Sequence, residues 1–236
     1  MALQLLKDGK TFAEINSDEP KICFLHGWGR SSNDFSKISN KFESIAIDLP
    51  GFGKSEKPQN SMNPKEYAEH LISLIPDTVQ VLVGHSFGGK IAVHMSFIRE
   101  YKNLVLIGAP LIRKNPQRNL SFRLNLYKFL NSLNLFSDKR VEKYKNKYGS
   151  EDYQNAEGVM RDTLVKTVND DLSQLLPKIN TKVNLIWGEN DTVIPLSIGE
   201  EANTKIKESK LTIIKNEGHN MLKSKPDEII RELKEL

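Results

Sequence analysis

The chain has 236 residues, a single cysteine and a formal net charge of +4. A chain of this length buries roughly 70% of its unfolded surface and needs no covalent staples, one cysteine excludes both an internal disulfide framework and a cysteine-built metal cluster, and so small a charge gives no reason to expect nucleic acid. No apolar run approaches the length of a membrane span, and the N-terminus lacks the charged-then-apolar pattern of a signal peptide, so a cytoplasmic protein is expected.

From the N-terminus, Leu3–Leu6 and Thr11–Ile15 read as strands paired across an Asp8-Gly9 turn. Lys21–Leu25 is the next strand. It holds Cys23, whose apolar setting predicts a buried, inert thiol. Helix Asn33–Asn40, strand Ser44–Ile47 and helix Pro64–Ile75 follow. Strand Val79–Val83 opens the denser half of the pattern, with helix Phe87–Arg99 and strand Lys102–Ile107 after it. These later runs are rich in Val, Leu and Ile, as strands buried on both faces of a parallel sheet must be.

Between Ile107 and Val183 the periodicity is only helical. Leu120–Phe136 carries Phe122, Leu126, Phe129, Leu130 and Leu133 at helical spacing. Ser137–Tyr148 and Ser150–Val168 each open on a serine suited to an N-cap. Strand Val183–Trp187, helix Leu196–Lys207, strand Lys210–Ile214 and helix Pro226–Leu236 complete the chain. Strand–helix alternation predicts a wound α/β core over residues 1–110 and 171–236, with a helical cap inserted at 111–170.

Four motifs follow four of the strands. The apolar run to Val83 stops at Gly84-His85-Ser86-Phe87-Gly88, the sequence form of a sharp strand–turn–helix elbow with a serine at its tip. Gly84 and Gly88 stand two residues either side of Ser86, where a Cβ would collide with the neighbouring strand or helix. A serine hydroxyl is a poor nucleophile near pH 7; it needs an imidazole to take its proton and a carboxylate to fix that imidazole's tautomer. Asp191, in Gly188-Glu189-Asn190-Asp191, and His219, in Glu217-Gly218-His219-Asn220, each follow a strand and supply those types, with Glu189 and Asp171 as other acids in the same half. Leu25-His26-Gly27-Trp28-Gly29 follows an earlier strand. Its Trp28 backbone N–H, with that of Phe87, is placed to receive a developing oxyanion. His26 is expected to brace that loop. His70, His85 and His94 are expected to pack or cap, and nothing clusters as metal ligands.

A nucleotide-binding reading fails on two counts. Gly84 to Ile91 fits G-x-x-x-x-G-K-[ST] until Ile91, which lacks the magnesium-binding hydroxyl. Asp48 to Ser55 ends correctly but puts the Asp48 carboxylate where phosphate would lie.

With Leu25 to Gly29, Asp48-Leu49-Pro50-Gly51-Phe52-Gly53-Lys54-Ser55, Gly84 to Gly89, Trp187 to Asp191 and Gly218-His219, the chain resembles the α/β-hydrolase superfamily over nearly its whole length. The chain order Ser86, Asp191, His219 is that superfamily's order. The resemblance implies an eight-stranded, mostly parallel sheet with helices on both faces, a cap after the sixth strand and a structural role for Asp48–Ser55. A serine at position 86 departs from the aspartate nucleophile of haloalkane dehalogenases and epoxide hydrolases. His85 and Asn220 depart from the pattern of carbon–carbon bond hydrolases. The motifs look most like small carboxylesterases, including those that demethylate pimeloyl-acyl-carrier-protein methyl ester.

The expected function is therefore hydrolysis of a small carboxylic ester through an acyl-enzyme, with no cofactor. The alternatives are the same fold acting on a C–C, thioester or amide bond, or a slow-turnover ligand sensor. Trp28 and the cap residues Phe122, Leu126, Phe129, Leu130 and Met160 are expected to bind substrate. Residues 111–148 hold ten basic side chains against Asp138 and Glu142, a local charge of +8. Such a surface suits an anionic ester or an acidic carrier protein.

Overall fold

Eight strands, β1 (Ala2–Leu5), β2 (Phe12–Ile15), β3 (Ile22–Leu25), β4 (Ser44–Ile47), β5 (Val81–His85), β6 (Asn103–Ile107), β7 (Lys182–Gly188) and β8 (Ser209–Ile214), join in one sheet in the order β1-β2-β4-β3-β5-β6-β7-β8. The computed structural model describes residues 2–113, 152 and 155–236. β2 pairs antiparallel with β1 and with β4, and every other pairing is parallel. The β1–β2 turn is closed by Asp8, whose carboxylate accepts the Lys10 and Thr11 N–H groups while Gly9 takes a φ of +70°.

Helices cover both faces. They are α1 (Ser36–Ser39), α2 (Pro64–Ile72), α3 (Phe87–Ser96), α4 (Gly158–Asn169), α5 (Leu196–Lys205), α6 (Met221–Ser224) and α7 (Pro226–Lys234). Successive side chains of a strand point to opposite faces, and the core divides accordingly. Cys23, Leu25, Leu82, Leu104, Leu106, Leu185 and Trp187 pack with α2, α3 and α5. Phe24, Val83, Val105, Ile107 and Ile186 pack with α1, α6 and α7. Strands apolar on both faces are what the Val/Leu/Ile-dense runs encode. Burial pushes the Cys23 thiol well above its usual range, so it stays an unreactive apolar filler.

Local signals explain the element ends. At the start of α2, Asn63 accepts from Glu66 N at 2.9 Å and donates its own N–H to Glu66 Oε2 at 2.6 Å, a reciprocal capping box with Pro64 at the first position. β5 begins two residues later than the apolar run suggests, because Val79 gives its N–H to Pro76 O. The expected helix over 33–40 is a 3-10 turn, Ser32–Phe35, running into the short α1. The expected helix over 150–168 is interrupted: Ala156 and Glu157 are not helical, and Gly158, at φ +49°, restarts the chain as α4. The expected helices over 120–136 and 137–148 lie outside the described residues. α6 has no strong apolar period and was not anticipated.

The junction of β3, β5 and α3 is the tightest part of the core. A Cβ at Gly84 would fall 2.5 Å from Gly88 O, and one at Gly88 would run into the Leu25 carbonyl. Gly88 instead gives its N–H to His26 O at 3.1 Å. Gly88→Ala is therefore expected to cost at least the 1–3 kcal/mol typical of overpacking, read as a lower urea midpoint. A variant as stable as the parent would contradict this close approach of helix and strand.

Candidate active site

The parallel strands present their carboxyl ends along one edge, and the chain order reverses at β3, with β4 on one side and β5 on the other. Wound sheets bind ligands at such a switch point. Trp28 follows β3, Ser86 follows β5, Gly108 follows β6, Asp191 follows β7 and His219 follows β8.

Ser86 is half-buried and adopts φ +50°, ψ −114°. A non-glycine residue in this region carries on the order of 1–3 kcal/mol of strain. The strain is held by hydrogen bonds on both sides: Ser86 N–H to Ile107 O at 2.9 Å, and Gly89 N–H to Ser86 O at 3.0 Å. Phe87 is the first residue of α3, so its N–H has no partner within the helix. Neither Trp28 nor Phe87 gives its N–H to a described backbone carbonyl.

His219 Nδ1 lies 2.7 Å from Asp191 Oδ2. The Asp191 carboxylate is fully buried, and its other oxygen accepts from Val193 N at 2.9 Å and Ile194 N at 2.8 Å. A buried carboxylate that accepts three hydrogen bonds is fixed in place. Because the Asp191 carboxylate accepts, His219 Nδ1 is the donor of this pair. The other candidate acids are engaged elsewhere: Glu189 accepts from Asn216 N, and Asp171 from Arg113 N and Ser173 N.

His85 ties the Ser86 strand to the His219 loop. Its Nε2–H donates to His219 O at 3.0 Å, and the two rings lie 4.8 Å apart. Ser86 Cβ and His85 Nδ1 both border Gly27. Among the described residues the Ser86 hydroxyl has no hydrogen-bond partner; in many enzymes without substrate the serine–imidazole bond tightens only on binding.

His26 holds the loop after β3. Its Nδ1–H donates to Gly27 O at 2.7 Å, and its Nε2 accepts from Leu49 N at 3.0 Å. Asp48 organises the next loop, accepting from Ser32 N at 2.7 Å and Lys54 N at 2.8 Å. Phe52, Trp28, Phe87 and Tyr67, in that order, form a chain of edge-to-face rings 4.9–5.4 Å apart. Beside Trp28 and Phe52 opens a cleft of about 590 Å3, with Ala156 and Met160 on its far wall. Phe122, Leu126, Phe129 and Leu130 lie outside the described residues.

Residues 24–232 match the model of the alpha/beta hydrolase family. The chain belongs to that family. An uncharacterized hydrolase, YugF, of Bacillus subtilis is 28% identical over 90% of this chain and 88% of its own length. The pimeloyl-[acyl-carrier protein] methyl ester esterase of Wigglesworthia glossinidia brevipalpis is 27% identical over 78% of this chain and 80% of its own. An esterase from Exiguobacterium antarcticum superposes with a TM-score of 0.73 at 19% identity, over 99% of this chain and 98% of that one. The α/β-hydrolase fold is thus common ground for sequence and structure.

Within this α/β-hydrolase site, Gly108 escapes a reading of motifs. At φ +52°, it lies beneath the Asp191–His219 pair; a Cβ there would fall 3.2 Å from His219 Nδ1 and 3.3 Å from Asp191 Oδ2. Its only signal is a glycine directly after a strand. His85, expected to pack or cap, packs against the His219 ring and bonds its carbonyl. Among the described residues no group of His, Cys, Asp and Glu is arranged to hold a metal, and no helix is long and apolar enough to cross a membrane.

Burial pushes both His26 and His85 down to about 4, so each is neutral in the fold. The unfolded chain binds their protons near pH 6.5, so stability is present above that pH and is lost as pH falls from about 6.5 towards 4, by up to about 3 kcal/mol for each. Urea midpoints measured between pH 7 and 5 should fall, and His26→Gln should make the slope shallower. A midpoint independent of pH over that range would contradict the neutral assignment.

Proposed function

We propose that this chain is a serine hydrolase that cleaves a small carboxylic ester through an acyl-enzyme. The observation that carries the reading is the 2.7 Å pairing of a fully buried Asp191 with His219, beside a serine held at φ +50°. In this mechanism His219 Nε2 takes the Ser86 proton as the hydroxyl attacks the ester carbonyl, and Asp191 stabilises the imidazolium that results. The Trp28 and Phe87 N–H groups receive the oxyanion; losing one such donor typically costs about 10²–10³ in rate. His219 then protonates the leaving alcohol, activates water and releases the acid. The similarity to proteins named as esterases supports the bond type.

An anionic or carrier-linked ester is the favoured substrate class. Its support is the +8 local charge of residues 111–148 and the similarity to a protein named as acting on an acyl-carrier-protein ester. Apart from Arg113, those basic residues lie outside the described residues, as do four of the five cap residues proposed to bind the acyl chain; the fifth, Met160, faces Gly51.

A fluorophosphonate probe should label Ser86 and nothing else. Ser86→Ala should abolish that labelling, and continued labelling at the parent rate would refute the assignment. Asp191→Asn should lower turnover about 10⁴-fold with the fold intact, whereas a loss under tenfold would remove Asp191 from this role. For an anionic ester, kcat/KM should fall steeply with salt, because exposed charges are screened over about 8–10 Å at physiological ionic strength. An equal response from a matched neutral ester would remove the case for charge recognition.

A further inference from the structure

Lys90 sits one turn into α3, in the run Phe87-Gly88-Gly89-Lys90-Ile91, and has no part in the serine chemistry. It is only 3% exposed. Its ammonium donates to the carbonyl of Thr167 at 2.8 Å and to that of Asp170. Thr167 lies in the last turn of α4, and Asp170 is the residue that ends it. The final carbonyls of a helix have no partner within it and form the negative end of its dipole, so a buried cation is the donor that suits them. One turn further along α3, His94 Nε2 lies 3.1 Å from the Asp170 carboxylate. Burial lowers the Lys90 ammonium to about 8, while the Asp170 and Asp171 carboxylates act in the opposite direction. The lysine that made this stretch resemble a nucleotide-binding loop therefore grips a second helix.

The other parts of α4 touch the chain between β4 and α2. Met160 packs directly on Gly51, Thr163 Oγ1 accepts from Met62 N at 3.1 Å, and Lys166 donates to Ser61 O at 2.6 Å. Met160 also lines the cleft together with Trp28. α3 thus carries Ser86 at its N-terminus and, through Lys90 and His94, the C-terminal end of the helix that walls the cleft.

We infer that Lys90 is a positioning residue: it clamps the end of α4 to the helix that begins at Ser86, and so fixes the width of the cleft lined by Trp28, Phe52 and Met160, where we place the acyl chain. The functional half of this inference rests on the ester-hydrolase reading above; the clamp itself does not. Lys90→Met keeps the stem but removes both donations. Thr167→Val alters the same turn yet keeps the carbonyl, and the Thr167 hydroxyl has no partner among the described residues.

The experiment compares hydrogen exchange in α4, fluorophosphonate labelling, and kinetics with p-nitrophenyl acetate and a longer-chain p-nitrophenyl ester. In Lys90→Met, α4 amides should exchange at least tenfold faster. KM for the longer ester should rise about tenfold, with kcat, the acetate kinetics and the labelling rate within threefold of the parent. Thr167→Val should match the parent throughout. Should Lys90→Met fail to fold, Asp170→Ala carries the test: it leaves the carbonyl grip but removes the His94 partner, and should shift α4 exchange and KM the same way by a smaller factor. Unchanged α4 exchange, or an equal loss for both esters, overturns the inference. A parent protein that does not label at Ser86 would refute the ester reading instead, leaving the exchange measurement to decide the clamp.

Discussion

The left-handed backbone at Ser86 is a conformation that L-residues avoid, and it persists only where the surroundings admit no other. Here the surroundings are carbonyls. Ile107 O takes the Ser86 N–H, His26 O takes the Gly88 N–H, and the Leu25 carbonyl leaves no room for a side chain at Gly88. β3, β5, β6 and α3 must all be in register before the serine can stand out from the sheet edge. The apolar strands buried on both faces supply the free energy that holds this register. The elbow is thus a local strain sustained by the whole sheet.

The electrostatics around the elbow follow from burial. His26 and His85 are kept neutral and bring no charge into the site; His26 links Gly27 O to Leu49 N through both ring nitrogens, whereas His85 bonds His219 O through Nε2 alone, its Nδ1 having no partner among the described residues. A charged His85 would repel a protonated His219 across the 4.8 Å between their rings. The buried carboxylate beside His219 is that of Asp191, whose second oxygen is satisfied by two backbone N–H groups and so cannot turn away. Lys90, a buried lysine, holds the end of α4.

Much of this was legible in the sequence because the signals were local. The dense apolar strand runs, the glycines flanking Ser86 and the loops bearing Asp191 and His219 are short-range patterns whose meaning does not depend on the rest of the chain. The strand set and its antiparallel N-terminal hairpin accordingly match, with ends shifted by one or two residues where a turn bond such as Val79 N to Pro76 O competes. What escaped is long-range. Nothing near Gly108 in the chain announces that a histidine 111 positions later will lie over it. Lys90 meets its partners 77 and 80 positions away. The break at Ala156–Gly158 was missed because helical spacing on either side resembles one continuous helix, and a left-handed glycine leaves no trace in that spacing.

The central claim is that Ser86 becomes acylated during turnover. Quenching the protein in acid during steady-state hydrolysis of a p-nitrophenyl ester, followed by intact-mass and peptide-mass measurement, tests it most directly. The account predicts an added mass equal to the acyl group, confined to the peptide bearing Ser86, more populated in an Asp191→Asn variant if that change slows deacylation more than acylation, and absent in Ser86→Ala. Turnover that proceeds with the acyl group on another residue, or unimpaired in Ser86→Ala, would contradict it.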